Sequence, residues 1–133
     1  KEYPHLILEN SPNNKIGGYR NPTKGRIPRN ILDFSNYCQS GRDVNKYAKE
    51  LGLPVHAAKM PLSLASFLVK FLSRPGDLVC DPFAGTLTTA EAAQLNGRRW
   101  VCTEMIWQYI RQSFVRFDGK YKTWINPDFA NAL

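Results

Sequence analysis

No apolar run in this 133-residue chain approaches the roughly 20 residues needed to cross a bilayer, so a membrane role is not expected. No secretory leader opens it. Cysteine is scarce. Cys38, Cys80 and Cys102 are odd in number, and no pair has metal-site spacing. Cys80 and Cys102 sit inside apolar runs and read as reduced, buried, small hydrophobes, which suits a cytoplasmic protein. No metal site is expected. Acid is also in short supply, with eleven Asp and Glu against eighteen Lys and Arg, a net charge of +7. A basic surface suits a polyanion such as nucleic acid, and it equally serves plain solubility. The chain begins at Lys1 and not at methionine, which points to a processed or cut product.

The length predicts one domain, and 43% hydrophobic residues predict a globular one. Residues 1–30 read as an irregular segment, broken by Pro4, Pro12, Pro22 and Pro28. Lys15, Arg20, Lys24, Arg26 and Arg29 make it basic, with no acid among them. It is either a solvated loop or a loop that follows a phosphate backbone. Residues 31–133 read as the structured part.

Within that part, 31–37 alternate loosely and predict a strand, and 41–52 predict a short polar helix ending at Gly52. Pro61 suits the first turn of a second helix. Leu62, Leu64, Ala65, Leu68 and Leu72 recur on it at helical spacing, and Phe67, Val69 and Phe71 widen the apolar face, so this helix is expected to be largely buried. Residues 78–82, LVCDP, read as a short buried strand. Thr88 and Glu91 fit a capping box for a helix that ends at Gly97. Residues 99–104 predict a second strand, 106–117 an amphipathic helix stopped near Gly119, and 121–125 a further strand. Alternating helices and strands imply a parallel, doubly wound α/β sheet of the Rossmann-like kind.

In such a sheet Asp81 and Glu104 fall at the carboxyl ends of two strands, where ligands bind. Roughly twenty residues separate them, with a glycine turn at Gly85 between, a spacing that suits a nucleoside. A carboxylate can accept hydrogen bonds from both ribose hydroxyls. The chain lacks the GxGxxG of a dinucleotide site, and Asp81 would repel a pyrophosphate while attracting an amino group. S-adenosylmethionine, with an ammonium, a sulfonium and a ribose, fits this chemistry better than NAD. The plainer alternative is that Asp81 caps a helix and Glu104 is merely exposed.

The stretch DPFAGTLTTAEAA…GRRWVCTE resembles motif I, DPFxGSGTT, of the DNA amino-methyltransferases, which methylate adenine N6 or cytosine N4. HAAKMPLSLASFLVKFLSRPGD just upstream is similar to their motif X, HPxxKPxxL, and in the beta class that motif directly precedes motif I, as it does here. GRIPRNILDF and EMIWQYIRQSFVRF are similar to the flanking segments. The resemblance implies S-adenosylmethionine as cofactor and double-stranded DNA as partner. It implies Asp81 near the methionine amino end, and Phe83, Ala84 and Gly85 along the cofactor's path. Thr86 and Thr88 would offer backbone or hydroxyl contacts, Glu104 would take the ribose hydroxyls, and Met105 would pack on the adenine. His56, Lys59 and Pro61 belong to the stretch that meets the methionine moiety. A structural histidine and a solvated lysine are the alternatives for His56 and Lys59.

The chain departs from the family in three places. Leu87 stands where motif I has its second glycine, and its bulk is expected to resist a positive φ and to close some space. Ala57 stands where motif X often has proline. The family's catalytic tetrapeptide, [Asp/Asn/Ser]-Pro-Pro-[Tyr/Phe/Trp], is absent, since no two prolines are adjacent; NPDF at 126–129 is the nearest match and reads as tail. In the beta class the tetrapeptide lies N-terminal to motif X. The expectation is therefore the C-terminal, cofactor-binding portion of a longer enzyme, with no catalytic residue of its own. A companion segment or self-association would cover the strand edge left open. Two rival readings are a nucleic-acid-binding module that has lost the chemistry, and a methyltransferase acting on RNA or a small molecule.

Overall fold

The computed structural model describes residues 31–117. The basic positions 15–29, the Gly119 stop, the 121–125 strand and NPDF lie outside them. In chain order the elements are α1 (Gln39–Glu50), α2 (Leu62–Leu72), β1 (Leu78–Asp81), α3 (Thr88–Leu95), β2 (Arg99–Cys102) and α4 (Trp107–Ser113), which tightens into a 3₁₀ turn at Phe114–Arg116. β1 and β2 pair in parallel, Leu78 opposite Arg99 and Asp81 opposite Cys102. Two parallel strands joined through a helix make a βαβ unit, so the described residues form part of a Rossmann-like α/β sheet. No helix among them is long and apolar enough to cross a membrane.

The core sits on both sides of α3. Ala90 packs with Ala84, Leu87 and Phe117, against Trp100 and Cys102 of β2. Ala92 meets Ala65 and Val69 of α2, with Leu62 and Val79 alongside. Alanines on α3 let two neighbours approach one short helix closely. The helix ends as its sequence predicts: Gly97 takes φ 71, its amide donates to the Gln94 carbonyl at 3.2 Å, and the Arg98 amide donates to the Ala93 carbonyl at 2.8 Å. That is a Schellman cap.

Five expectations fail here for identifiable reasons. Residues 31–37 form no strand; Ser35 Oγ accepts from the Tyr37 amide at 3.1 Å, a local turn bond that competes with strand pairing. α1 starts at Gln39, two residues early, where Gln39 donates to Asp43 one turn on at 2.8 Å. α2 buries only the Ala65–Val69 stripe and leaves Phe71 and Leu72 exposed. β1 is not buried on both faces: Leu78, Cys80 and, beside them on β2, Val101 are exposed. Thr88 does not cap α3, because Leu87 occupies the cap position with φ 57 and ψ 31 and no side-chain cap bond forms.

Leu87 therefore adopts the left-handed conformation its bulk was expected to resist. That conformation costs a non-glycine residue about 1–2 kcal/mol. The Leu87 side chain is buried in the Ala84–Ala90–Phe117 cluster, and burying a leucine is worth about 1.5–3 kcal/mol. Burial offsets the strain, so leucine is tolerated at a glycine-like position.

Candidate functional site at the carboxyl edge of the strands

β1 and β2 end side by side, and the loops that leave them are stitched together. The Thr103 amide donates to the Asp81 carbonyl at 3.0 Å, and the Ala84 amide donates to the Thr103 carbonyl at 3.0 Å. This brings the Gly85 turn beside Glu104. The Gly85 amide donates to Glu104 Oε2 at 2.7 Å, and the Ile106 amide donates to Glu104 Oε1 at 2.9 Å. The Ile106 amide is the largest cause that holds the Glu104 carboxyl below the ordinary glutamate range; the Gly85 and Met105 amides and the nearby His56 add to it, against a smaller opposing effect of burial. Each carboxylate oxygen has one backbone partner and keeps lone-pair capacity for another. Glu104 is thus ionised, oriented and only partly used.

Asp81 closes the turn at the end of β1, where its Oδ1 accepts from the Phe83 amide at 3.1 Å. It caps a turn and not a helix. Phe83 and Met105, on either side of the Gly85–Glu104 contact in sequence, are 88% and 94% exposed. Two large apolar side chains so exposed next to an oriented carboxylate suit a flat, partly apolar ligand.

The loop from α1 to α2 delivers His56 to the same place. A Cβ on Gly85 would lie 3.4 Å from His56 Nε2, in van der Waals contact, and Gly85 holds φ 52; the positive φ favours glycine. The imidazole meets the Tyr109 ring edge-on at 4.5 Å. Among the described residues His56 Nδ1 is buried without a hydrogen-bond partner, and a buried polar atom of that kind calls for a ligand or water. Lys59 is neither free nor simply solvated. Its ammonium bonds Asn45 of α1 and donates to the His56 carbonyl at 2.6 Å. Burial, with the Arg116 charge added, lowers its pKa from the usual lysine value. Lys59 thus braces the His56 loop from behind. Pro61 sits one residue outside the first turn, as the cap of α2, with φ −60 and ψ 137.

Three residues expected beside the ligand have their side chains turned inward. Ala84 is a core residue. The Thr86 and Thr88 hydroxyls accept from Arg116, at 3.4 and 3.2 Å, and both residues are buried. Glu91, expected in a capping box, forms an ion pair with Arg116 and accepts from Ser40 at 2.7–2.8 Å. Sequence reasoning missed this cluster. Its members are 25 and 51 residues apart, so no local spacing signals it. Cys102 is partly buried, and burial pushes its thiol up to about 12, with the Asp81 charge adding to the effect; Cys80, expected buried, is exposed. Among the described residues, no group of three His, Cys, Asp or Glu side chains is arranged for a metal ion.

Comparison with known proteins shows the family of the chain. A family model described as DNA methylase matches residues 2–115. The type II methyltransferase M.PvuII of Proteus hauseri is 37% identical over 93 residues, 70% of this chain and 27% of that protein. The DNA adenine methyltransferase YhdJ of Escherichia coli (strain K12) is 36% identical over 93 residues, 70% of this chain and 29% of that one. Among solved structures, the PvuII DNA methyltransferase (cytosine-N4-specific) superposes with a TM-score of 0.63 at 35% identity, over 72% of this chain and 34% of its own. The chain thus spans under a third of the length of these two curated relatives.

Proposed function

Because the chain belongs to the DNA methylase family, we propose that residues 31–133 are the S-adenosylmethionine-binding part of an enzyme that methylates the exocyclic amino group of adenine or cytosine in double-stranded DNA. The observation that carries the reading is Glu104, ionised and aimed by the Gly85 and Ile106 amides with acceptor capacity to spare. The residues at hand fit the cofactor. Glu104 would accept from the ribose hydroxyls, Asp81 would attract the amino group, and Phe83 and Met105 would flank the adenine. His56 Nδ1, buried and without a partner among the described residues, would gain one. Bound there, the cofactor supplies an electrophilic methyl on a sulfonium. The chain's own residues would bind and orient it, which are contributions that positional catalysis needs.

In the whole enzyme, Glu104→Ala is expected to weaken S-adenosylmethionine binding about tenfold or more, since hydrogen bonds to a charged group are worth about 1.5–3 kcal/mol each. Calorimetry decides it; an unchanged Kd would sink the assignment.

The tetrapeptide that holds the target base would come from a companion segment, and Lys15, Arg20, Lys24, Arg26 and Arg29 would contact the DNA backbone. The open face of the sheet supports the companion: Leu78 is 53% and Val101 49% exposed, with Cys80 exposed between them. A bare apolar sheet face favours association. Cys80 should therefore alkylate readily in the 133-residue chain and be protected in the whole enzyme. Equal labelling in both, read by mass spectrometry, would remove the companion from that face.

A further inference from the structure

Directly behind the Gly85 turn lies a guanidinium whose side chain is 1% exposed, that of Arg116. A guanidinium has five N–H donors in a fixed plane, and here all five are engaged. Nε donates to the Thr86 carbonyl at 2.6 Å. Nη2 donates to Thr86 Oγ1 and Thr88 Oγ1, at 3.4 and 3.2 Å. Nη1 donates to Ser40 Oγ at 2.6 Å and pairs with Glu91. Ser40 in turn donates to the Glu91 carboxylate. One side chain thus ties the start of α1, the turn after β1, α3 and the 3₁₀ turn together.

Three of those five donors grip the two residues that flank Leu87, the one non-glycine residue with positive φ among those described. A strained turn persists only where its surroundings over-determine it. The residue before the gripped Thr86 is Gly85, whose amide aims Glu104. We infer that Arg116 is a positioning residue: through Thr86 and Thr88 it fixes the Gly85–Leu87 turn, and so sets the carboxylate that receives the ligand. Glu91 and Ser40 hold the guanidinium in register. This rests on the cofactor-binding reading given above.

Lysine keeps the charge but not the planar fork. Arg116→Lys in the whole enzyme separates positioning from plain structural support when compared with Val69→Ala. Val69 lies in the other cluster, against Ala65 and Ala92. Two quantities are read well below the melting temperature: amide exchange at Gly85 and Leu87 without cofactor, and S-adenosylmethionine affinity by calorimetry. Arg116→Lys should speed exchange at both amides and weaken binding about tenfold, the equivalent of about 1.4 kcal/mol. Val69→Ala should lower the melting temperature and leave both readouts unchanged. If Arg116→Lys does not fold, Thr88→Val removes a single acceptor and should move both readouts the same way by less. Changes that merely track melting temperature in all variants would overturn the inference. A wild-type enzyme that fails to bind S-adenosylmethionine would refute the cofactor reading instead, and the positioning role would then be decided by the exchange result alone.

Discussion

At the amino ends of the two strands, the Gly76 amide donates to the Gly97 carbonyl at 2.8 Å and the Arg99 amide to the Asp77 carbonyl at 2.9 Å. Asp77 accepts from the Arg74 amide at 2.7 Å, and buried Arg98 donates to Ser73 and Asn96. The carboxyl ends are cross-linked by equivalent backbone bonds, and a second buried arginine, Arg116, stands behind them. There, however, Glu104 keeps spare acceptor capacity, His56 Nδ1 has no partner among the described residues and Phe83 and Met105 are bare. Both ends keep a carboxylate open to solvent, exposed Asp77 at one and part-buried Glu104 at the other, but the two barest apolar side chains among the described residues stand at the carboxyl end. That asymmetry favours the carboxyl end as the ligand edge proposed above, and it is the edge at which open α/β sheets bind.

The two arginines give the largest expected difference between the ends. Arg98 donates to two carbonyls and a hydroxyl, with no acid among its partners. Arg98→Met should cost about 1–3 kcal/mol, the price of buried acceptors left unsatisfied. Arg116→Met strands Glu91, which is 12% exposed, and should cost about 3–5 kcal/mol. Urea denaturation of both variants tests the ordering. Equal losses would mean that the ligand end is held no differently from the closed end.

Leu87 carries a smaller and more diagnostic effect. Leu87→Ala keeps the positive φ and loses the buried side chain, at about 2–5 kcal/mol. Leu87→Gly loses the same contacts but sheds the strain of about 1–2 kcal/mol. Glycine should therefore be the more stable of the two, reversing the usual order inside regular structure. Gly97 already closes the far end of α3 with φ 71, so Gly97→Ala should go the opposite way and destabilise. If Leu87→Gly unfolds at lower urea than Leu87→Ala, the left-handed conformation at 87 is not a source of strain.

These contrasts follow how far the sequence could be read. The βαβ unit, the glycine cap at Gly97 and the placing of Asp81 and Glu104 at strand ends were legible, because each is written in local periodicity or in one special residue. Glu91 was misread, since a Thr-x-x-Glu spacing looks the same whether the glutamate caps its own helix or reaches Arg116 from 25 residues away. The inward turn of Thr86 and Thr88 follows from that same guanidinium, and it too has no local signature. The exposed face of β1 was misjudged because a run such as LVCD looks identical whether one or both faces are covered. Alternation in exposure appears only once the sheet's neighbours are known.

The smallest expected effect isolates the carboxylate itself. The amides of Ile106 and Gly85 depress the Glu104 pKa below the ordinary 4.5, so the folded protein takes up this proton less readily than the unfolded chain. The stabilisation is present in full above the ordinary glutamate range and is lost as pH falls through the folded value. Glu104→Gln removes the titration while keeping one acceptor oxygen. The stability gap between wild type and this variant should thus be constant from neutral pH to above 4.5 and should narrow below it. Solvent screens a group that is only partly buried, so the change should be a shallow slope, followed through Trp100 fluorescence in urea. A gap that stays constant into acid would mean that the two amides orient Glu104 without preferring its charge, and the ligand edge would then lose its electrostatic distinction from the closed end.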